Sequence, residues 1–235
     1  MIDSTDAWGR MLSIGNAELA VRLGAPTLYS QSGRVIFADS FEYGLQHWTT
    51  YTSGTGAIVA LSPTYVWHGG YAVQMTGGST ASRLARLRHN QGLLPRTAMG
   101  FCIAFSIYSN VDRVELSVVS YSGSHSWYYG MAYSNVDHKL LIQTGPSTWA
   151  TVGDARAAWE QPNIFNQFKF SVDLVNQAYG SCWFNEAQFD LSGYDIFSQS
   201  SSAAPRYDLI IDVYSRSGHN DTVYLDSVIV TTNEP

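Results

Sequence analysis

The 235-residue sequence predicts an all-β fold, an antiparallel two-sheet jelly-roll sandwich. Three observations predict it. The stretch 165–186, FNQFKFSVDLVNQAYGSCWFNE, alternates Phe168, Phe170 and Val172 with Lys169, Ser171 and Asp173, the period of a half-buried strand. Asn176-Gln177 then makes a turn, Tyr179 to Phe184 returns as a second strand, and Asn185-Glu186 breaks it before 188–191. A hairpin cannot bury its apolar face alone, so this one requires a sheet and a facing sheet. Strand-like runs also recur near every ten residues, separated by Ser109-Asn110, Ser122-Gly123, Gly145-Pro146, Gly153-Asp154 and Ser217-Gly218. Finally, aromatic residues (14%) match charged ones (14%), with 20 glycines, a balance that suits strands and polar turns rather than a helical bundle.

In chain order, residues 1–34 read as an N-terminal arm and 35–235 as the sandwich. Asn16 to Leu23 is a short helix, capped by Asn16, with Glu18 in its first turn and Arg22 in its last. Gly24 and Pro26 stop it. Its apolar residues are too few for a core, so the arm must grip a surface, either its own sandwich or another subunit. Trp8, Met11, Leu12, Leu19, Val21 and Leu23 are the expected assembly interface, each contributing about 25 cal/mol per Å² of apolar surface removed from water. The sandwich follows with runs at 35–48, 57–61, 67–75, 99–108, 113–120, 127–133, 139–144, 148–152, 207–214 and 223–230. The low-complexity stretch SQSSSAAP, 198–205, reads as a surface loop. Cys102 and Cys182 lie in strand-like runs and make no C-x-x-C pattern, so they are either two buried thiols or one bridge.

The hairpin resembles that of concanavalin A-like and laminin G-like sandwiches, with Phe165 at the usual Trp position and Glu186 at the usual Gly. Three further pieces resemble carbohydrate-binding-module jelly rolls. These are Asp39-x-Phe41-Glu42-x-Gly44-Leu45-x-x-Trp48, the run from Trp67 to Met75, and Val223-Tyr224-Leu225-Asp226-Ser227-Val228-Ile229-Val230. That resemblance implies a structural calcium held by the carboxylates of Glu42 and Asp226 and by backbone carbonyls of His68 and Gly70, tying the first strand to the last; the alternative is that Glu42 and Asp226 cap backbone groups without a metal. It also implies glycan binding by exposed aromatic faces. Tyr121, His125, Trp127 and Tyr128 in YSGSHSWYYG are the expected glycan residues. The alternative for them is inter-sheet core or a subunit interface.

Catalytic patterns are sparse. The E-x-D-x-x-E strand motif of related glucanases is absent. Asp208 and Asp212 share a face, four residues apart, but bring no third acid, and Glu115 stands alone. No nucleophile elbow, P-loop, dinucleotide fingerprint or paired-histidine motif occurs. The expectation is therefore no enzyme activity. A formal charge of −6 with 13 basic residues argues against nucleic acid or an anionic membrane as partner. No apolar run reaches the roughly 18–20 residues of a membrane span, and the N-terminal stretch lacks the pattern of a secretion signal.

An arm ahead of a jelly roll resembles bacteriophage capsid decoration proteins. That resemblance implies a structural virion protein at the virion surface, docked by its arm on a capsid lattice or on itself, often as a trimer. Otherwise it would lie outside the cell or in the host cytoplasm during assembly. The alternative is a carbohydrate-binding module for glycan or host-surface attachment.

Overall fold

A computed structural model describes residues 34–80, 82–92, 97–108, 111–155 and 159–233. The expected arm, with its helix at 16–23 and its interface residues Trp8, Met11, Leu12, Leu19, Val21 and Leu23, lies outside them. Only Arg34 of that segment is described, and it opens the first strand.

The described residues fold into two antiparallel sheets packed as a sandwich. The first sheet runs β13 (Ala187–Asp190), β12 (Ala178–Phe184), β11 (Asn166–Asp173), β6 (Ala98–Ile107), β16 (Thr222–Thr232), β4 (Ala72–Thr76) and β3 (Ile58–Ser62). β1 (Arg34–Asp39) pairs with the C-terminal half of β16, while β4 takes its N-terminal half. The second sheet runs β10 (Trp149–Asp154), β9 (Lys139–Gln143), β8 (His125–Ser134), β7 (Arg113–Tyr121), β15 (Arg206–Tyr214), β5 (Leu84–Gln91) and β2 (Thr49–Ser53). β14 (Phe197–Ser200) pairs with the start of β8.

The expected alternation fills the space between the sheets. From the first sheet, Phe101, Ile103, Phe105, Phe168, Phe170 and Val230 are fully buried. From the second come Val114, Leu116, Val118, Tyr129, Leu209 and Ile211. Aromatic rings meet across the gap: Phe101 lies 5.6 Å from Tyr129, and Tyr133 stacks on Phe184 at 5.1 Å. The hairpin of β11 and β12 turns through Gln177 at φ 55, and Asn185 at φ 51 reverses the chain into β13. Both positions favour small polar side chains that tolerate the left-handed region.

The motif at 39–48 has a mechanical meaning. Asp39 Oδ1 accepts the Phe41 amide at 2.7 Å, and Oδ2 accepts the Trp48 indole N–H at 2.8 Å. This holds Phe41 at φ 63, a conformation a bulky residue rarely adopts, and sinks its ring into the core.

The structure adds to and corrects the sequence reading, first at Gly153-Asp154, expected as a turn but lying inside β10, where they pair with β9. The stretch 198–205 is not all loop, because Ser198 to Ser200 belong to β14. That edge strand needs only backbone pairing, so serines and glutamine suffice. β2 and β5 were not legible as strands, because TTYTS is largely exposed and LARLRHNQ alternates apolar residues with arginines. Cys102 and Cys182 are not bridged to each other; Cys182 is buried in the core, and Cys102 faces the other side of its sheet.

One buried hydroxyl ties the two sheets. Tyr179 Oη accepts the Gly130 amide at 2.9 Å and donates to the Gln143 carbonyl at 2.8 Å. Removing it strands a donor and an acceptor in the interior. Tyr179→Phe is therefore expected to cost about 1–3 kcal/mol in urea unfolding; an unchanged midpoint would show that the tether carries no stability.

Candidate functional site

The outer face of the second sheet is the richest surface in the described residues. Antiparallel register decides what it displays, since directly opposed residues share a face. Asp212 on β15 opposes Arg86 on β5 and Glu115 on β7. Two residues along, Ile210 opposes Arg88 and Ser117. Further on, Asp208 opposes Val119, which opposes Tyr128. Glu115, which stood alone in sequence, therefore sits beside Asp212, the acid to which no sequence spacing connects it.

Arginines lock these acids. Arg86 donates Nε and Nη2 to the two oxygens of Asp212 at 2.6 and 2.7 Å, a planar fork on a carboxylate. Arg88 donates Nη2 to Asp208 Oδ2 at 2.6 Å, and Arg206 donates Nε to Asp208 Oδ1 at 3.1 Å. Burial pushes Asp212 up, and the Arg86 fork pulls against that. Breaking either pair would leave a buried charge uncompensated.

A cleft of about 300 Å³ opens on this face, walled by the β9–β10 turn at Pro146 and Ser147. Arg86, Arg113, Glu115, Gln143, Trp149 and Tyr214 line it. Beneath Gln143, Gly130 has no room for a side chain: a Cβ there would fall 2.5 Å from the Leu116 carbonyl oxygen and 3.1 Å from Gln143 Oε1. The Tyr179 hydroxyl pins both residues from inside, through the Gly130 amide and the Gln143 carbonyl.

Two buried acceptors in the cleft lack hydrogen-bond partners, Glu115 Oε1 and Gln143 Oε1. Arg113 Nε lies 2.7 Å from Glu115 Oε1, yet neither atom makes a hydrogen bond, so the contact is an ion pair whose N–H points off the oxygen. Arg113 is held instead between rings, 5.1 Å from Tyr214 and 5.9 Å from Trp149. Buried polar atoms left unsatisfied cost free energy, and a ligand that donates to both would recover it. Burial also pushes Glu115 up to about 7, against the pull of Arg113.

The four expected glycan residues do not form one surface. Tyr121 and Tyr128 stand on the outer face with the cleft, and Tyr128 lines it. Trp127, one position away, points inward: it is 9% exposed, and its Nε1 donates to Gln177 Oε1 at 3.2 Å, on the turn of the opposite sheet. His125 shares the parity of Trp127, stacks on it at 5.9 Å and stays exposed at the strand start. Strand alternation is the reason, because neighbours in sequence face opposite sides. Tyr65 and Trp67 pack on the outside of the first sheet, with Trp67 stacked on Phe165 at 6.0 Å.

The expected calcium residues meet around the 67–71 turn, where both carboxylates accept backbone N–H groups. Glu42 Oε1 accepts the amides of Gly70 and Tyr71 at 2.9 and 3.1 Å. Asp226 Oδ2 accepts those of Trp67 and His68 at 2.7 and 3.3 Å. A Cβ at Gly69 would fall inside the Glu42 carboxylate, and that residue sits at φ 78, so glycine is required. Burial pushes Asp226 up, and the Trp67 and His68 amides pull against it. The carboxylates of Glu42 and Asp226 thus cap N–H groups of the 67–71 turn. Calcium needs six to eight oxygens, and an ion there would compete with these caps for the two carboxylates. Among the described residues no cluster of three or more His, Cys, Asp or Glu side chains could hold a metal ion.

Sequence reasoning missed Arg86, Arg88, Arg113, Gln143, Trp149 and Tyr214 as a group. The available signal was charge at alternate positions: Arg86 and Arg88, Arg113 and Glu115, and Asp208 and Asp212 each repeat with an even period between buried apolar residues.

No protein-family description matches the chain, and no curated protein matches its sequence. Solved structures share its fold. An endo-β-1,4-glucuronan lyase from the fungus Trichoderma reesei matches with a TM-score of 0.57 at 12% identity, over 85% of this chain and 96% of the other. A sialidase matches at 0.53 and 10% identity, over 84% of this chain but 18% of its own length. A carbohydrate esterase from the Shiga toxin-encoding bacteriophage phi24B matches at 0.50 and 15% identity, over 86% of this chain and all of the other. At these identities the likeness is one of fold: the chain shares a two-sheet β-sandwich with these proteins.

The state of Glu115 is testable. Its folded pKa near 7 lies above its unfolded value, so the folded chain binds more protons between the two. Its contribution is complete below about pH 4 and is lost as pH rises through 7, by on the order of 2–3 kcal/mol. Glu115→Gln removes that dependence. Urea unfolding across pH 4–8 should show the wild type losing stability relative to the variant as pH rises. A gap constant with pH would show that Glu115 is not held protonated by burial.

Proposed function

We propose that the chain binds a glycan in the cleft on the outer face of its second sheet. The observation that carries this is the pair of buried acceptors that receive no hydrogen bond, Glu115 Oε1 and Gln143 Oε1, in a cleft that also offers guanidinium donors and the rings of Trp149, Tyr128 and Tyr214. Sugars present hydroxyl donors to such acceptors and apolar C–H faces to such rings. The names of the fold neighbours, among them a glucuronan lyase and a carbohydrate esterase, support the same class of ligand. The virion reading rested on the arm, which lies outside the described residues, and nothing described supports it. Host-surface attachment remains one use such a glycan site would serve.

A second reading is favoured by one observation. A carboxyl with a pKa near 7 in a cleft is suited to general acid–base work, and Glu115 lies beside Asp212 and Tyr214. On that reading the chain cleaves the glycan it binds. Incubation with each bound polysaccharide, followed by assay for new reducing or unsaturated ends, separates the two. Cleavage abolished by Glu115→Gln establishes the enzyme, and intact polymer leaves a binding domain.

Binding itself is tested on a glycan array with the full chain. Trp149→Ala and Gln143→Ala are each expected to weaken the best signal by about tenfold. Tyr43→Ala, at an 89% exposed ring outside the cleft, is expected to leave it unchanged. A wild type that binds no glycan, or cleft variants that bind as well as wild type, would remove this reading.

A further inference from the structure

We infer that the ligand of this face is an acidic glycan, one whose sugar rings carry carboxylates, as uronic acid residues do. The inference rests on the glycan-binding reading above and concerns which glycan. Four of the chain's 13 basic residues lie on three adjacent strands: Arg86 and Arg88 on β5, Arg113 on β7 and Arg206 on β15. They and the acids form two levels. The side chains of Asp208, Asp212 and Glu115 are 2–7% exposed, whereas those of the four arginines are 32–39% exposed. A ligand therefore meets guanidinium groups, with the carboxylates buried beneath them.

The buried acids fix the guanidinium planes in advance. Arg86 spends two of its N–H groups on Asp212, and the described bonds of Arg88 and Arg206 spend one each on Asp208, fewer than the five N–H groups each guanidinium carries. Preorganised guanidinium groups lose little side-chain entropy on binding, and their spacing matches carboxylate oxygens. Four cations over three carboxylates leave the face net positive, in a chain whose formal charge is −6. Protonation of Glu115 adds to that excess.

The other half of the recognition is the demand for donors. Inorganic phosphate or a simple carboxylate would satisfy the arginines but offers no array of hydroxyls to Glu115 Oε1 and Gln143 Oε1. A neutral glycan would satisfy those acceptors but leave the arginines to water. A uronate-bearing glycan does both. Beyond the cleft, Arg206 lies flat on the Tyr121 ring at 4.4 Å, so the cationic and aromatic surface continues along the same face.

The experiment is calorimetric titration of the full chain with oligomers of polygalacturonate, alginate and β-1,4-glucuronan, each compared with its carboxyl-reduced, neutral counterpart of equal length. The expected result is that at least one acidic form binds about tenfold or more tighter than its reduced form. Arg206→Gln is expected to weaken that acidic form several-fold without affecting a neutral one, and Arg206→Lys to restore part of the loss. Asp208 keeps Arg88 in both variants, so the fold is preserved, checked by an unchanged thermal midpoint. Should reduced forms or other neutral glycans bind as well as every acidic form, the acidic assignment is overturned while the glycan reading stands. If no glycan of either kind binds, both are overturned.

Discussion

Two aspartates on the middle strand of the second sheet, Asp208 and Asp212, organise the surface above them. Their side chains are almost wholly buried, and burial of a carboxylate is tolerated only with cationic, hydrogen-bonded partners. Those partners are arginines from β5 and from β15 itself, held at fixed angles and partly exposed to solvent. The cost of keeping charge in the protein is thereby converted into a rigid cationic surface. A layer of unsupported arginines would be mobile and would have to be ordered by each ligand in turn.

The core and the cleft are mechanically continuous. Tyr179 crosses from the first sheet to hold the Gly130 amide and the Gln143 carbonyl, and Gln143 then offers its side chain to the cleft on the other side. Gly130, beneath Gln143, has no room for a side chain. A second device of the same kind lies on the first sheet. Glu42 and Asp226 capture four backbone donors of the 67–71 turn, those of Trp67, His68, Gly70 and Tyr71, and fix that turn to β16. There the carboxylates cap backbone groups, the alternative that the sequence left open beside a calcium.

Legibility followed the range of the physics involved. Phe168, Phe170 and Val172 announced their strand because alternation is local, and the turn at Gln177 was visible in the Asn-Gln pair. Trp127 and Tyr128 were read as one cluster, yet the same alternation sends them to opposite faces. β5 was missed because its arginines masked the buried Leu84, Ala85 and Leu87. Those arginines were the most informative residues of the strand, since each answers a buried acid on β15.

By itself the sequence determined the all-β fold class, most strand positions, the turns at Gly123, Gly145 and Gly218 and the inward aromatic core. Each depends on the residue and its near neighbours, through side-chain period, backbone preference and apolar area. Which strands lie side by side was decided only by the tertiary structure. That choice set Glu115 against Asp212, put Arg86 and Arg88 beside the β15 acids, and brought Gln143 and Trp149 to the same cleft. Strand pairing is set by the packing of two whole sheets against each other, and no short stretch of chain encodes it.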